Sequence, residues 1–338
     1  MIIKSNNTYT VNTDEEITKL VKGMFGKKTK NGIELHPIEV NFLREIRKFK
    51  VDDNIFLDIL PYLKQYIVYR DLRMRGLKIR INEFKFEGTY KPIEIYKKTN
   101  IKLPNINIRG IRRDNMIVVF NKEAKQLYDK YWFGQWGMYK KSFGDSLILD
   151  IYEAKYLKEK GILKVNLNNK LGEKYNVYKN WRDAGFILKS GFKFGGDFRI
   201  YTKDVKPTNV KHSKHIIDVF EKEKQIKAED WSKSVRIVHG VRKTYVLCMP
   251  YIKAGMNKPD FAVIGRNNTF SYYVKAFKAN ENISAKHLLG LLMFAQEKNS
   301  KLLISIVDRE TSVLYYIAKR IILPDDKHIY FEIDWIQP

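Results

Sequence analysis

Tyr201, His212 and Lys243 place a hydroxyl, an imidazole and an ammonium within one basic, aromatic stretch, residues 175–243. These three groups can cleave RNA without a metal. The ribose 2′-OH supplies the nucleophile, so the protein need only move protons and neutralise charge on the phosphorus. Each residue alone has an ordinary reading: a strand-end aromatic, a turn imidazole, a solvated helix terminus that suits the macrodipole. Their combination with Lys179, Trp181, Arg182, Phe192, Lys193, Phe194 and Arg199 turns the stretch into a candidate nucleic-acid site.

The elements around them are readable in outline. Phe198 to Tyr201 suits a strand, and His215 to Phe220 a second. Ala228 to Lys243 carries Trp231, Val235 and Val238 at helical spacing, with Asp230 near its start, and Thr244 to Met249 is an apolar run of strand length. On a helix continuing through Lys243, Arg236 lies two turns away on the same face, with His239 between them. Such a face could track a phosphate backbone. The Asn-rich basic stretch from Lys164 to Lys170 is a further candidate RNA contact.

Bulk composition agrees. Lys plus Arg number 63 against 38 Asp plus Glu, and the net charge of +25 predicts a polyanionic partner, nucleic acid first. Hydrophobic residues make up 44% of the 338, as in a globular protein. A single cysteine, Cys248, excludes a disulfide framework and a multi-cysteine zinc site and suits a reducing cytoplasm. The polar start of the chain and the lack of a long apolar run point to neither export nor a membrane span.

The residues Phe194-Gly195-Gly196-Asp197-Phe198-Arg199-Ile200-Tyr201, then His212-Ser213, then Val241-Arg242-Lys243, occur in the order of three motifs of the archaeal tRNA-splicing endonucleases, and the chain resembles that family. The resemblance covers most of residues 20–338 and is most specific from 175 to 248. It implies that Tyr201 is the base, His212 the acid and Lys243 the charge stabiliser. Arg236 would stack on a bulged base, and no second stacking residue can be matched. The implied substrate is precursor tRNA with bulge–helix–bulge splice sites, and the products carry a 2′,3′-cyclic phosphate and a 5′-OH. No metal and no small-molecule cofactor are needed. Four units surround the RNA in the family, so a fused three-unit chain implies a homodimer. An acidic loop of a non-catalytic unit is also expected, and Asp308-Arg309-Glu310 is the candidate.

Internal similarity supports units of that kind. Tyr66 to Gly76 recurs as Tyr175 to Gly185, each followed by Phe-Lys-Phe, and Gly32 to Leu43 matches Ser146 to Leu157. Asp260 to Ile264 echoes Asp197 to Tyr201, but Ile264, Thr269 and Ser300 stand where Tyr201, His212 and Lys243 do. One active site per chain follows. The expected fold is mixed α/β (α+β), in repeated units with an antiparallel-sheet N-terminal part and a nuclease-like mixed-sheet C-terminal part. The expected division is a degenerate unit over 1–96, a linker over 97–115, the N-terminal subdomain of a complete unit over 116–190, its catalytic subdomain over 191–252, a degenerate half unit over 253–323, and a terminal strand over 324–338. The half unit could be an insertion in the last hairpin of the catalytic subdomain.

Two rivals stand beside this reading. Pro259-Asp260 with Tyr273-Val274-Lys275 faintly resembles a metal-dependent, resolvase-like nuclease, but Tyr273 replaces a carboxylate that a hard divalent ion needs. A non-catalytic RNA-binding subunit is the other.

Overall fold

The computed structural model describes all residues except 6–7, 52–54, 138–143, 168–169, 210–211, 254 and 266. Ten strands run side by side through one sheet. In chain order they are β1 (Lys78–Ile81), β2 (Ile187–Ser190), β3 (Phe198–Tyr201), β4 (His215–Val219), β5 (Thr244–Pro250), β6 (Phe261–Ile264), β7 (Phe270–Lys278), β8 (Leu302–Val307), β9 (Val313–Ile322) and β10 (His328–Ile336). Their spatial order is β2-β3-β4-β5-β10-β9-β8-β7-β6-β1, and a short strand, Ile93–Glu94, adds on beside β9.

Read from either end, this order gives the same series of pairings. The outer two contacts are antiparallel, the next is parallel, and the next is antiparallel again. β9 and β10 meet antiparallel in the middle. Each parallel pair is bridged by a helix, α3 (Ala228–Gly240) between β4 and β5 and α4 (Ala285–Glu297) between β7 and β8, as a parallel connection requires. β1 comes from the N-terminal region yet pairs with β6, Ile79 opposite Val263. β10 pairs with β5, Leu247 opposite Phe331, so residues 251–327 separate two neighbouring strands.

Burial follows the two-residue period of the strands. Along β5, Tyr245, Leu247 and Met249 join a core with Trp231 of α3 and Leu288 and Leu292 of α4. Val246 and Cys248 face the opposite side and join a core with Trp181 and Tyr330. A third core unites Tyr69 and Leu72 with Phe261, Val263 and Leu303, so the N-terminal region packs on the 253–323 segment.

Two small antiparallel sheets, one within 3–35 and one within 111–150, lie upstream of helices α1 (Leu63–Met74) and α2 (Gly172–Asp183). The same buried contacts occur in both regions. Arg73 donates to Tyr69 and to the carbonyls of Gly23 and Ile79. Arg182 donates to Tyr178 and to the carbonyls of Tyr131 and Phe186. Glu39 accepts from the Gly26 amide as Glu153 does from that of Gly134. Both arginines lie over a phenylalanine, Phe25 and Phe133.

The stretch 97–115, expected as a linker, carries two short strands. Ile108–Arg109 pairs with Leu163–Lys164, and Ile111–Arg113 pairs with Met116–Val119. The basic residues between the isoleucines mask the period, while Ile108 is buried in the core.

The terminal strand is held to α2 by a buried imidazole. His328 is 2% exposed, and its two ring nitrogens lie 2.6 Å from Asp325 and 2.6 Å from Glu173. Donating to both carboxylates requires the imidazolium. Asp325 also accepts from Tyr330, which accepts from Trp181. Burial works against the charge, but the hydrogen bonds and charges of Asp325 and Glu173 outweigh it and raise the His328 pKa above 6.5. A raised folded-state value gives stability that is fully present below the ordinary imidazole value and lost as pH rises through the folded one. His328→Gln should therefore cost about 3 kcal/mol at pH 6, and its deficit in thermal stability should narrow as pH climbs above neutrality. A deficit constant with pH would mean a neutral imidazole.

Candidate active site

Tyr201 ends β3 opposite Ile187, and Arg199, two residues back on the same face, lies opposite Lys189. Arg199 donates from Nη1 to the Tyr201 hydroxyl at 3.1 Å and from Nε to the Ser190 carbonyl at 2.8 Å. The Tyr201 ring, 6% exposed, packs 4.9 Å from the Trp132 ring. Trp132 sits in the left-handed region (φ 47°) just past the helix Lys125–Tyr131.

The turn from β2 to β3 is closed by backbone. Gly191 donates to the Asp197 carbonyl and Phe194 to that of Gly191, both at 2.7 Å. The Asp197 carboxylate fixes its far end, accepting from the Val219 amide and the Lys174 ammonium. Phe194 is thereby placed between two cations: the Arg199 guanidinium is 5.2 Å and the Lys243 ammonium 5.4 Å from its ring centre.

Lys243 does not lie on the helix as the spacing predicts. α3 ends at Gly240, Arg242 takes φ 55°, and the Lys243 amide turns back to the Val238 carbonyl. The two-turn face shared with Arg236 is therefore broken, and Lys243 leads directly into β5. There its Nζ donates to the Ser213 carbonyl at 2.5 Å. Burial lowers its pKa, and the nearby Arg199 charge adds to the effect.

The parallel register of β4 and β5 brings the histidine segment to the same place. His215 lies opposite Thr244, whose amide donates to the Lys214 carbonyl. His212 is exposed, one residue from the carbonyl that holds Lys243. The two residues before it, Val210 and Lys211, lie outside those described. His215, the nearby alternative acid, is buried against Tyr96 at 2.6 Å, and burial pushes it down to about 4. It is a packing residue.

The other predicted contacts are placed differently. Arg236 is exposed on α3. His239 is half-buried, and its Nε2 bonds the Ile333 carbonyl of β10 at 3.1 Å. Lys164 is exposed on the small two-stranded sheet with Ile108–Arg109, separate from the ten-stranded one, and Asn168 and Asn169 lie outside the described residues. Asp308, Arg309 and Glu310 form an exposed turn between β8 and β9, where Asp308 accepts from the amides of Glu310 and Ser312. In the metal-nuclease reading Asp260 would be a ligand. Its carboxylate instead accepts from Lys275 and from the Ala276 amide, as Asp197 does from Lys174 and Val219, and Tyr273 donates to the Phe86 carbonyl.

The sequence places Arg199 and Phe194 in the basic, aromatic setting of the site but assigns neither a role beside Tyr201 or Lys243. The signal was present, because a two-residue strand period puts Arg199 beside Tyr201. Trp132 carried no such signal, since its contact with Tyr201 is tertiary.

Two family descriptions match contiguous parts of the chain. "tRNA intron endonuclease, N-terminal domain" matches residues 109–176, and "tRNA intron endonuclease, catalytic C-terminal domain" matches 171–255. The chain is 33% identical over 176 residues to a tRNA-splicing endonuclease of Pyrococcus horikoshii, covering 47% of this chain and 89% of that one. It is 34% identical over 153 residues to that of Pyrococcus abyssi, covering 40% and 84%. Against that of Methanococcoides burtonii it is 30% identical over 184 residues, covering 48% and 49%.

The turn offers a test of placement. A Cβ on Gly191 would lie 2.6 Å from the Gly196 carbonyl oxygen and 2.9 Å from the Phe198 nitrogen, backbone atoms that cannot yield cheaply. Displacements near 1 Å at a reacting site cost roughly 10²-fold in rate. Gly191→Ala should lose RNA cleavage on that scale while retaining its overall secondary structure by circular dichroism.

Proposed function

This chain belongs to the tRNA-splicing endonuclease family, and we propose that it cuts precursor tRNA at bulge–helix–bulge splice sites without a metal ion. The observation that carries the reading is the gathering of Arg199 and Lys243 around the Phe194 ring, with the Tyr201 hydroxyl bonded to Arg199 and His212 one residue from the carbonyl that holds Lys243.

The steps follow from the groups. Tyr201 removes the proton of the ribose 2′-OH, and the 2′-oxygen bonds to the adjacent phosphorus. The bond from phosphorus to the 5′-oxygen breaks, and His212 gives that oxygen its proton. The fragments end in a 2′,3′-cyclic phosphate and a 5′-OH. Lys243 faces the negative charge that builds on the non-bridging oxygens. Its anchor on a neutral carbonyl rather than a carboxylate keeps its charge unspent. Arg236, exposed on α3, is available to stack on an unpaired base, and Lys164 and His239 are candidates for phosphate contact from outside the triad.

Cleavage of a bulge–helix–bulge RNA should proceed undiminished in EDTA and stop when the scissile nucleotide carries a 2′-deoxyribose. His212→Ala and Lys243→Ala should each cut the single-turnover rate by about 10²–10⁴-fold with RNA affinity little changed. Cutting of the deoxy substrate, or inhibition by EDTA, would overturn the proposal.

One chain offers one such site in a sheet whose two ends are alike in topology. A homodimer would supply four topological units and two sites, the number that the family uses. Sedimentation should give a mass twice the 40.0 kDa of the chain. The single buried thiol, Cys248, suits a reducing compartment such as the cytoplasm. Among the described residues no helix is long and apolar enough to cross a membrane.

A further inference from the structure

A phenol is a reluctant base, ionising near 10 in water. What would make it serviceable is a fixed cation at hydrogen-bonding distance, because a donor to the charged form favours that form. Lys243 is not in that position: its Nζ is turned to the Ser213 carbonyl. Arg199 meets the requirement among the described residues. We propose that Arg199 is the positioning residue that holds the Tyr201 phenol at the reacting 2′-OH and sustains its phenolate form. This inference rests on Tyr201 being the base.

Three features of the geometry support it. The Arg199 guanidinium is fixed at two points before it reaches Tyr201, by Nε on the Ser190 carbonyl and by stacking 5.2 Å from the Phe194 ring. Its planar fork then directs Nη1 at the phenol oxygen. No carboxylate ion-pairs with Arg199 among the described residues, so its charge is not neutralised locally. Arg182, a buried arginine of this region, points instead into carbonyls of the core.

The charged groups around Tyr201 come from several elements. Arg199 shares its strand. Lys189 on β2 reaches the Trp132 ring at 5.9 Å but is paired with Glu153 at 2.7 Å. Lys243 approaches from beyond α3 over the Phe194 ring, and His212 lies in the exposed segment before β4. Of these, Arg199 is the cation within hydrogen-bonding distance of the phenol oxygen. The proton accepted by Tyr201 comes from the 2′-OH, and the phenol returns it to solvent after the RNA leaves. His212 regains its own from solvent, so no co-reactant is needed.

The equivalent place at the other end of the sheet differs in the way this role predicts. Ala262 stands at the position of Arg199 and Ile264 at that of Tyr201, so the cation and the phenol are missing together.

The test uses full-length protein with carbon-13-labelled tyrosine rings, the Tyr201 resonance being identified by its loss in Tyr201→Phe. Its ionisation is followed by NMR in the wild type, Arg199→Gln and Arg199→Lys, together with single-turnover cleavage and RNA affinity. Arg199→Gln should raise the Tyr201 ionisation by about one pH unit or more, which is about tenfold less phenolate at neutral pH. Its cleavage rate should fall by about tenfold or more, with affinity nearly unchanged. Arg199→Lys should fall between, and it serves if the glutamine variant does not fold. Unchanged ionisation in both variants would overturn the inference, even with slower cleavage, because that slowing would be structural or due to lost phosphate contact. If Tyr201→Phe cleaves at full rate, the base assignment itself fails and the inference with it.

Discussion

Strand β10 is hydrogen-bonded on both sides, to β5 through Tyr245–Pro250 and to β9 through Tyr315–Ile321. Within the ten-stranded sheet it joins the two halves. β5 starts immediately after Lys243, and its parallel register with β4 sets where the His212 segment ends. Without β10, β5 would become an edge, and an edge strand exposes unpaired amides and carbonyls and loses definition. The position of the ammonium in the site therefore depends on the last residues of the chain, which is why His328, Asp325 and Glu173 fasten that strand to α2 inside the core. Burying His328 and Asp325 there is costly unless each is satisfied, and each is, with the half-buried Glu173 completing the set.

The electrostatics of the site follow from what its cations are given as partners. Across much of the surface the lysines pair with carboxylates, as Lys174 does with Asp197, Lys179 with Glu159 and Lys319 with Asp334. Arg199 and Lys243 are oriented by carbonyls and by the face of Phe194 instead. A carbonyl fixes a cation without cancelling it. The mutual repulsion of two such charges is part of why Lys243 titrates below its ordinary value, and a polyanion entering between them would relieve it. The net charge of +25 suits attraction of a polyanion at long range, while in the proposed reaction Lys243 serves the phosphate and Arg199 the phenol.

Much of this was legible in the sequence where chemistry and local period coincide. Tyr201 at a strand end, the strand over 215–219 and the helix from Ala228 follow from residue type and spacing. Lys243 was misplaced because a seven-residue spacing equals two turns only while the helix lasts, and the left-handed Arg242 ends it. Of the two strands within 97–115, Ile108–Arg109 was hidden because its partner, Leu163–Lys164, is non-local, and Ile111–Arg113 because its basic residues mask the period although it pairs locally with Met116–Val119. The meeting of β1 with β6 was beyond reach for the same reason, since no local signal encodes a register between Ile79 and Val263. The likeness of 66–76 to 175–185, by contrast, was visible because the buried Arg73 and Arg182 each bond a tyrosine one turn back and carbonyls around them.

That remote pairing also accounts for a difference between the two ends of the sheet. β2 and β3 are joined by the turn that holds Phe194 beneath Arg199 and Lys243. β1 and β6 occupy the corresponding places but come from distant parts of the chain, so no turn connects them. The chain leaving β1 is released from that duty, and its own Phe-Lys-Phe goes elsewhere: Phe86 stacks on Phe270 at 5.7 Å and Phe84 packs on Phe294. The aromatic floor is thereby converted into core. Restoring a tyrosine at Ile264 would place a phenol there with neither ring nor guanidinium to meet it. In the proposed reaction the turn and the catalytic residues act together, because a phenol without a fixed cation beside it is a poor base.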